Sequence, residues 1–172
     1  AMIVASGADM ATQDIPNSNE GWGRALLDDV LYFDGDAREL KVEDVATGVS
    51  QGGQESFAFS VEDGTIPVEI ALVWTDYPAT SGAGIAIQNN LDLEVDCPGG
   101  VTYKGNVFSG GESAGGGTAD ARNVEEGVLL KSPPTGAYTV RVKGTTVPHA
   151  PQPLALVVTG DIADWPPSTG IT

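Results

Sequence analysis

Four sets of residues have types and spacings that could do chemistry. The first is Gly111-Glu112-Ser113-Ala114-Gly115, which matches the G-x-S-x-G pattern of a serine nucleophile elbow. His149, the sole histidine, follows it in the chain order a Ser-His pair would need. The second is an oxygen-rich set: Asp76, Asn90, Asp92, Asn106 and Asp120. Hard cations such as calcium take six to eight oxygens from carboxylates, amides and carbonyls. The third is Tyr77, Tyr103 and Phe108, aromatics close to loops that could offer a sugar ring or a peptide a flat surface. The fourth is Cys97, which has no second cysteine to pair with and suits a buried strand position.

Each set depends on the elements that would position it. A nucleophile elbow needs a strand before the serine and a helix after it. Here Ser113 sits in a glycine-rich run from Gly110 to Gly117, which predicts a flexible loop. His149 lies in Val147-Pro148-His149-Ala150-Pro151, a proline-bounded loop that predicts an exposed side chain. An esterase using Ser113 is therefore the weaker reading. Asn90, Asp92 and Glu94 share one face of a strand by its period of two. Asp76 follows the preceding strand and, if residues 68–75 and 90–97 sit near each other, could approach Asn90 and Asp92, while Asn106 and Asp120 flank a long loop. Calcium binding and a solvated polar strand face both remain open for this set. No D-x-D-x-D-G loop is present, and Asp34-Gly35-Asp36 reads as a helix stop.

Alternation of apolar and polar residues dominates from residue 38 onward. It predicts about eight antiparallel strands: around Leu40 to Val45, Phe57 to Val61, Val68 to Thr75, Leu91 to Val95, Val101 to Tyr103, Val124 to Leu130, Tyr138 to Val142, and Leu154 to Thr159. Short strands with turn chemistry between them make a mainly β fold, a sandwich or barrel. Trp74, Phe57, Phe59 and Tyr138 fall on alternating strand positions and are expected in the core. The segments 76–89 and 105–122 read as long loops. Before residue 34 the pattern is different. Met2 to Ala5 predicts the end of a helix stopped at Gly7, 8–20 a loop, and Arg24 to Leu31 a second short helix.

The chain has 24 acidic and 8 basic residues, a formal net charge of −16. Such a surface repels phosphate backbones, so a nucleic-acid partner is not expected. No stretch is long and apolar enough for a membrane-spanning helix, and no membrane partner is expected. The Gly (23) and Pro (11) content suits many turns.

Gly21-Trp22-Gly23-Arg24-Ala25-Leu26-Leu27, preceded by Met2-Ile3-Val4-Ala5-Ser6-Gly7-Ala8 and Pro16-Asn17, is similar to the end of a subtilisin-like (subtilase) catalytic domain. Leu72-Val73-Trp74-Thr75-Asp76-Tyr77-Pro78, Asn90-Leu91-Asp92-Leu93-Glu94-Val95, Tyr103-Lys104-Gly105-Asn106, Asn123-Val124-Glu125, Gly136-Ala137-Tyr138-Thr139-Val140 and Gln152-Pro153-Leu154-Ala155-Leu156-Val157-Val158 resemble, in order, the C-terminal β-domain of the alkaline, oxidatively stable branch of that family. The resemblance implies a catalytic-domain remnant over 1–33, a jelly-roll domain over 34–163 and a tail or linker over 164–172. It also implies calcium, a secreted parent protease, and no activity for this chain, since the Gly-Thr-Ser-Met-Ala nucleophile motif is nowhere in it. Asn89-Asn90 departs from relatives that often carry a second acidic residue there.

The expected partner is the protease domain that would precede residue 1. Met2, Ile3, Val4, Leu26 and Leu27 would be the apolar face it covers, and through residues 1–33 the chain could dimerise. The expected role is stabilisation of the protease and help with substrate access. A module that binds carbohydrate or a protein such as collagen is the alternative.

Overall fold

The computed structural model describes residues 1–10 and 14–165. The elements in chain order are α1 (Met2–Ala5), β1 (Gly7–Ala8), β2 (Arg24–Ala25), a 3-10 turn (Leu27–Asp29), β3 (Glu39–Val49), β4 (Gln54–Val61), β5 (Val68–Val73), β6 (Asn90–Asp96), β7 (Thr102–Ser109), β8 (Glu112–Gly115), β9 (Glu125–Leu130), β10 (Gly136–Thr146), β11 (Gln152–Gly160) and β12 (Ile162–Ala163). A six-stranded sheet in the order β12-β4-β10-β6-β7-β8 packs on a four-stranded sheet in the order β3-β11-β5-β9. All strand pairs are antiparallel. The fold is a mainly β sandwich of the jelly-roll kind, and its eight long strands fall where the alternation predicts, except that β7 runs on to Ser109, into the segment 105–122 expected as a loop.

The alternation has a direct physical outcome. Phe59 and Val61 of β4, Leu91, Leu93 and Val95 of β6, and Tyr138, Val140 and Val142 of β10 face inward and meet Val68, Ile70 and Leu72 of β5, Val128 and Leu130 of β9, and Leu154, Leu156 and Val158 of β11. Burying each such side chain stabilises by about 2 kcal/mol. Trp74, Phe59, Tyr138 and Cys97 are buried and Phe57 packs against the core, as their positions require. The outer face of the six-stranded sheet stays polar. There Glu94 takes hydrogen bonds from Lys143 at 2.5 Å and Arg141 at 3.3 Å, and Arg141 also pairs with Asp96.

The near-continuous apolar run of β5 has a different cause: both of its faces are covered. Ala71 and Val157, on the outer face of the four-stranded sheet, form a second small core with Ala5 and Val30, against which Ala1, Val4 and Leu40 pack. The N-terminal segment is thus laid across the sandwich. The Thr159 hydroxyl fixes it further by donating to the Asp29 carbonyl at 2.8 Å.

Three local expectations are corrected. Arg24 to Leu31 is not a helix. Arg24 and Ala25 pair as a strand with Ala8 and Gly7, and only Leu27–Asp29 turns, as 3-10. Helices this short are marginal alone, and pairing offers these backbone groups partners. The glycine run at 110–117 is not a loose loop: β8 lies inside it and pairs with β7. The expected tail begins with docked residues. Trp165 stacks on Phe57 with centroids 5.7 Å apart, and its Nε1 donates to Glu43 at 2.8 Å. The rest of that tail, from 166, lies outside the described residues.

Candidate functional site

One long edge of the sandwich is sewn shut by side chains. β9 is the edge strand of its sheet, so one row of its backbone groups has no strand to pair with, and unpaired backbone groups away from water are costly. Asn106 of β7 supplies an amide in place of a strand. Its Nδ2 donates to the Glu125 carbonyl at 2.8 Å and its Oδ1 accepts the Gly127 N–H at 2.9 Å. Ser113 of β8 continues the row, its Oγ accepting the Leu129 N–H at 2.9 Å. Asn106 has φ 60°, a left-handed conformation that asparagine tolerates better than most residues.

Glu126 crosses the seam the other way. Its Oε2 accepts the Leu93 N–H of β6 at 2.7 Å, and Oε1 has no partner among the described residues. Gly105 makes the room: a Cβ there would lie 2.2 Å from Oε2. Burial pushes the Glu126 carboxyl up to about 8, with the Leu93 N–H opposing and the charges of Asp92 and Asp120 adding to the rise. Over the seam sits Trp22, edge-on to Phe108 at 5.9 Å and so close to Gly127 that a Cβ there would meet the indole at 2.6 Å.

The oxygen-rich residues are positioned separately. Asp120 accepts from Asn106 Nδ2 at 2.7 Å, Asn123 Nδ2 at 2.5 Å and the Arg122 N–H at 2.8 Å. Burial pushes the Asp120 carboxyl up, but these hydrogen bonds outweigh it and hold the group below the usual range. Asn90 donates to Asp92 at 2.9 Å, and the Asn90 Oδ1 is buried with no partner among the described residues. Asp76 accepts the N–H groups of Tyr77 at 2.7 Å, Gln88 at 2.5 Å and Asn89 at 2.8 Å. It therefore closes the 76–89 loop on itself; no hydrogen bond joins it to Asn90 or Asp92 among the described residues. Asn106 and Asp120 are brought together. Asp76, Asp92 and Asp120 are not, and no group of three or more His, Cys, Asp or Glu residues suited to a metal occurs among the described residues. Most of these oxygens already accept protein hydrogen bonds, so the set does not fit a preformed calcium cage.

Of the three aromatics, Tyr103 packs against the main core and Phe108 against Trp22. Only Tyr77 is well exposed, at 52%, and it stacks on His149 with centroids 3.7 Å apart and an interplanar angle of 12°. The three form no common platform. Ser113 has a structural engagement instead of the expected loop setting: its side chain is buried, its Oγ accepts the Leu129 N–H, and no helix follows it among the described residues. His149 sits with Tyr77 and Asn89 instead.

Sequence reasoning missed Glu126, Asn89 and Trp22. Glu126 was detectable by parity, because it shares the inward face of β9 with Val128 and Leu130. Asn89, 1% exposed, and Trp22 carry no such signal, since their surroundings are set by distant segments.

No family model matches the chain. It is 28% identical, over 187 aligned positions covering 87% of its length, to the serine protease/ABC transporter B family protein tagD of Dictyostelium discoideum. It is 36% identical, over 102 positions covering 55% of its length, to tagB of the same description and organism. The aligned part is 10% of the first protein and 5% of the second. The chain is thus similar to a small part of two much longer proteins whose names join a serine protease to an ABC transporter.

Proposed function

We propose that this chain is a non-catalytic β-domain of a secreted subtilisin-like serine endopeptidase, packing on the protease domain to stabilise it and to shape substrate access. The observation that carries this reading is the uncovered apolar surface of the N-terminal segment. Ile3 (79%), Leu27 (61%) and Phe33 (63%) are widely exposed, and Met2, Leu31 and Tyr32 are exposed beside them in sequence. Val4 and Leu26, also expected in this face, are partly buried instead, Val4 because it packs on the second core. Exposed apolar side chains in such number on one short segment mark a surface that another protein covers. The similarity to proteins named for a serine protease supports a protease as that neighbour. The displaced nucleophile motif supports a role without catalysis.

The test compares the parent protease with and without residues 34–165. Deletion should lower the melting temperature of the protease domain while peptide hydrolysis below that temperature persists. An unchanged melting temperature would refute the stabilising role. Alone, the chain should associate with itself through Ile3 and Leu27, and Ile3→Lys with Leu27→Lys should shift sedimentation toward the monomer.

A further inference from the structure

The 76–89 loop and the segment 122–125 meet to form an open cleft of about 340 Å³, within the usual range of small-molecule sites. Tyr77, Ile87, Arg122, Val124 and Glu125 line it. What distinguishes this cleft is the framework that holds Tyr77. Asp76 gathers the N–H groups of Tyr77, Gln88 and Asn89 and so fixes both ends of the loop. Asn89 then grips the backbone of His149 from both sides: its Nδ2 donates to the His149 carbonyl and its Oδ1 accepts the His149 N–H, each at 3.0 Å. Gln152 steadies Asn89 by accepting from the same Nδ2 at 2.8 Å. On this buried frame the His149 imidazole lies flat on one face of Tyr77.

The backbone on both sides of this exposed ring pair is fixed and the rings stack on each other, so less ordering is left for a ligand to impose, which favours preorganised recognition. Beside it, the Arg122 guanidinium makes no hydrogen bond or ion pair among the described residues; only its backbone N–H is engaged, by Asp120. Glu125, an acidic residue, lines the same cleft.

We propose that this cleft binds a neutral saccharide, with one sugar ring on the open face of Tyr77 and neighbouring hydroxyls bridged between Arg122 and Glu125. A sugar presents apolar C–H groups on its ring face and hydroxyls at its rim. A planar aromatic face flanked by a forked donor and a carboxyl acceptor complements both. The net charge of −16 opposes polyanionic ligands. An extended peptide would seek an open strand edge, and the edge groups of β9 beside the cleft, the Glu125 carbonyl and the Gly127 N–H, are already taken by Asn106. This site is separate from the apolar N-terminal segment, so losing either leaves the other intact.

The experiment is a calorimetric and NMR titration of the chain with chitohexaose, cellohexaose and xylohexaose, beside polygalacturonate and gelatin. Saturable binding to at least one neutral oligomer is expected. Tyr77→Ala and Arg122→Ala should each weaken it about tenfold or more, while Tyr77→Phe should retain it because stacking needs only the ring. Should Tyr77→Ala fail to fold, the exposed Arg122→Ala decides. No binding to any neutral oligomer at about 5 mM, equal binding by the variants, or tighter binding to gelatin or polygalacturonate would overturn the proposal.

Discussion

Asn106 holds Gly127 across the seam of the sandwich: its Oδ1 accepts the Gly127 N–H at 2.9 Å while its Nδ2 donates to the neighbouring Glu125 carbonyl at 2.8 Å. A single side chain on β7 thereby replaces a missing strand beside β9. Ser113 and Glu126 complete the closure from β8 and from β9 itself.

Replacing Asn106 tests that closure. Asn106→Ala removes the acceptor of a partly buried N–H and keeps a side chain at φ 60°. Losing such bonds costs about 1 kcal/mol or more each, so a fall of about 2–4 kcal/mol in urea unfolding is expected. Asn106→Gly should fall less, since glycine relieves the left-handed strain.

Glu126 should make stability depend on pH. Burial pushes its folded carboxyl up from the ordinary 4.5 to about 8. Between these values the folded chain keeps a proton that the unfolded chain has lost. Stability therefore falls as pH rises through this window and levels off above it. The slope from this group approaches about 1.4 kcal/mol per pH unit at most. Glu69, also driven up to about 8 by burial, with Arg38 opposing and Asp29 adding, contributes in the same direction. Glu126→Gln should flatten the profile in urea melts from pH 5 to 8, with Glu69 leaving a residual slope.

Ser113 should matter for folding and not for hydrolysis. Ser113→Ala leaves the Leu129 N–H without its acceptor and should lower stability by about 1–2 kcal/mol. Turnover of p-nitrophenyl acetate should match that of the unaltered chain. A drop in turnover in the variant would restore the serine as a nucleophile.

Calcium should change little. Asp76, Asn106 and Asp120 already hold backbone or side-chain donors, so a cation would have to break these bonds to gain ligands. Melting temperatures in calcium and in EDTA should agree within about 1 °C. A rise of several degrees in calcium would mean that these oxygens rearrange into a cage.

The sequence by itself determined the eight long strands and their inward faces. Alternation in segments such as Phe57 to Val61 and Leu91 to Val95 is a local record of which side is wet, so it can be read without knowing any partner. It also showed that G-x-S-x-G lacks its helix and that Trp74 and Tyr138 belong inside. Only the tertiary structure decided what the polar residues do. Asn106, Asp120 and Ser113 read as ligands or a nucleophile because their types allow it, yet the edge of β9, far away in sequence, claims their hydrogen bonds. Glu126 became a buried carboxyl only when β6 and β7 parted around it. Arg24 to Leu31 followed helical spacing, but Arg24 and Ala25 took the extended pairing that Gly7 and Ala8 offered and only Leu27–Asp29 turned. The physical reason is common to all of these: hydrophobic alternation is a property of neighbours along the chain, whereas the partner of a hydrogen-bonding group is set by whichever distant segment arrives beside it.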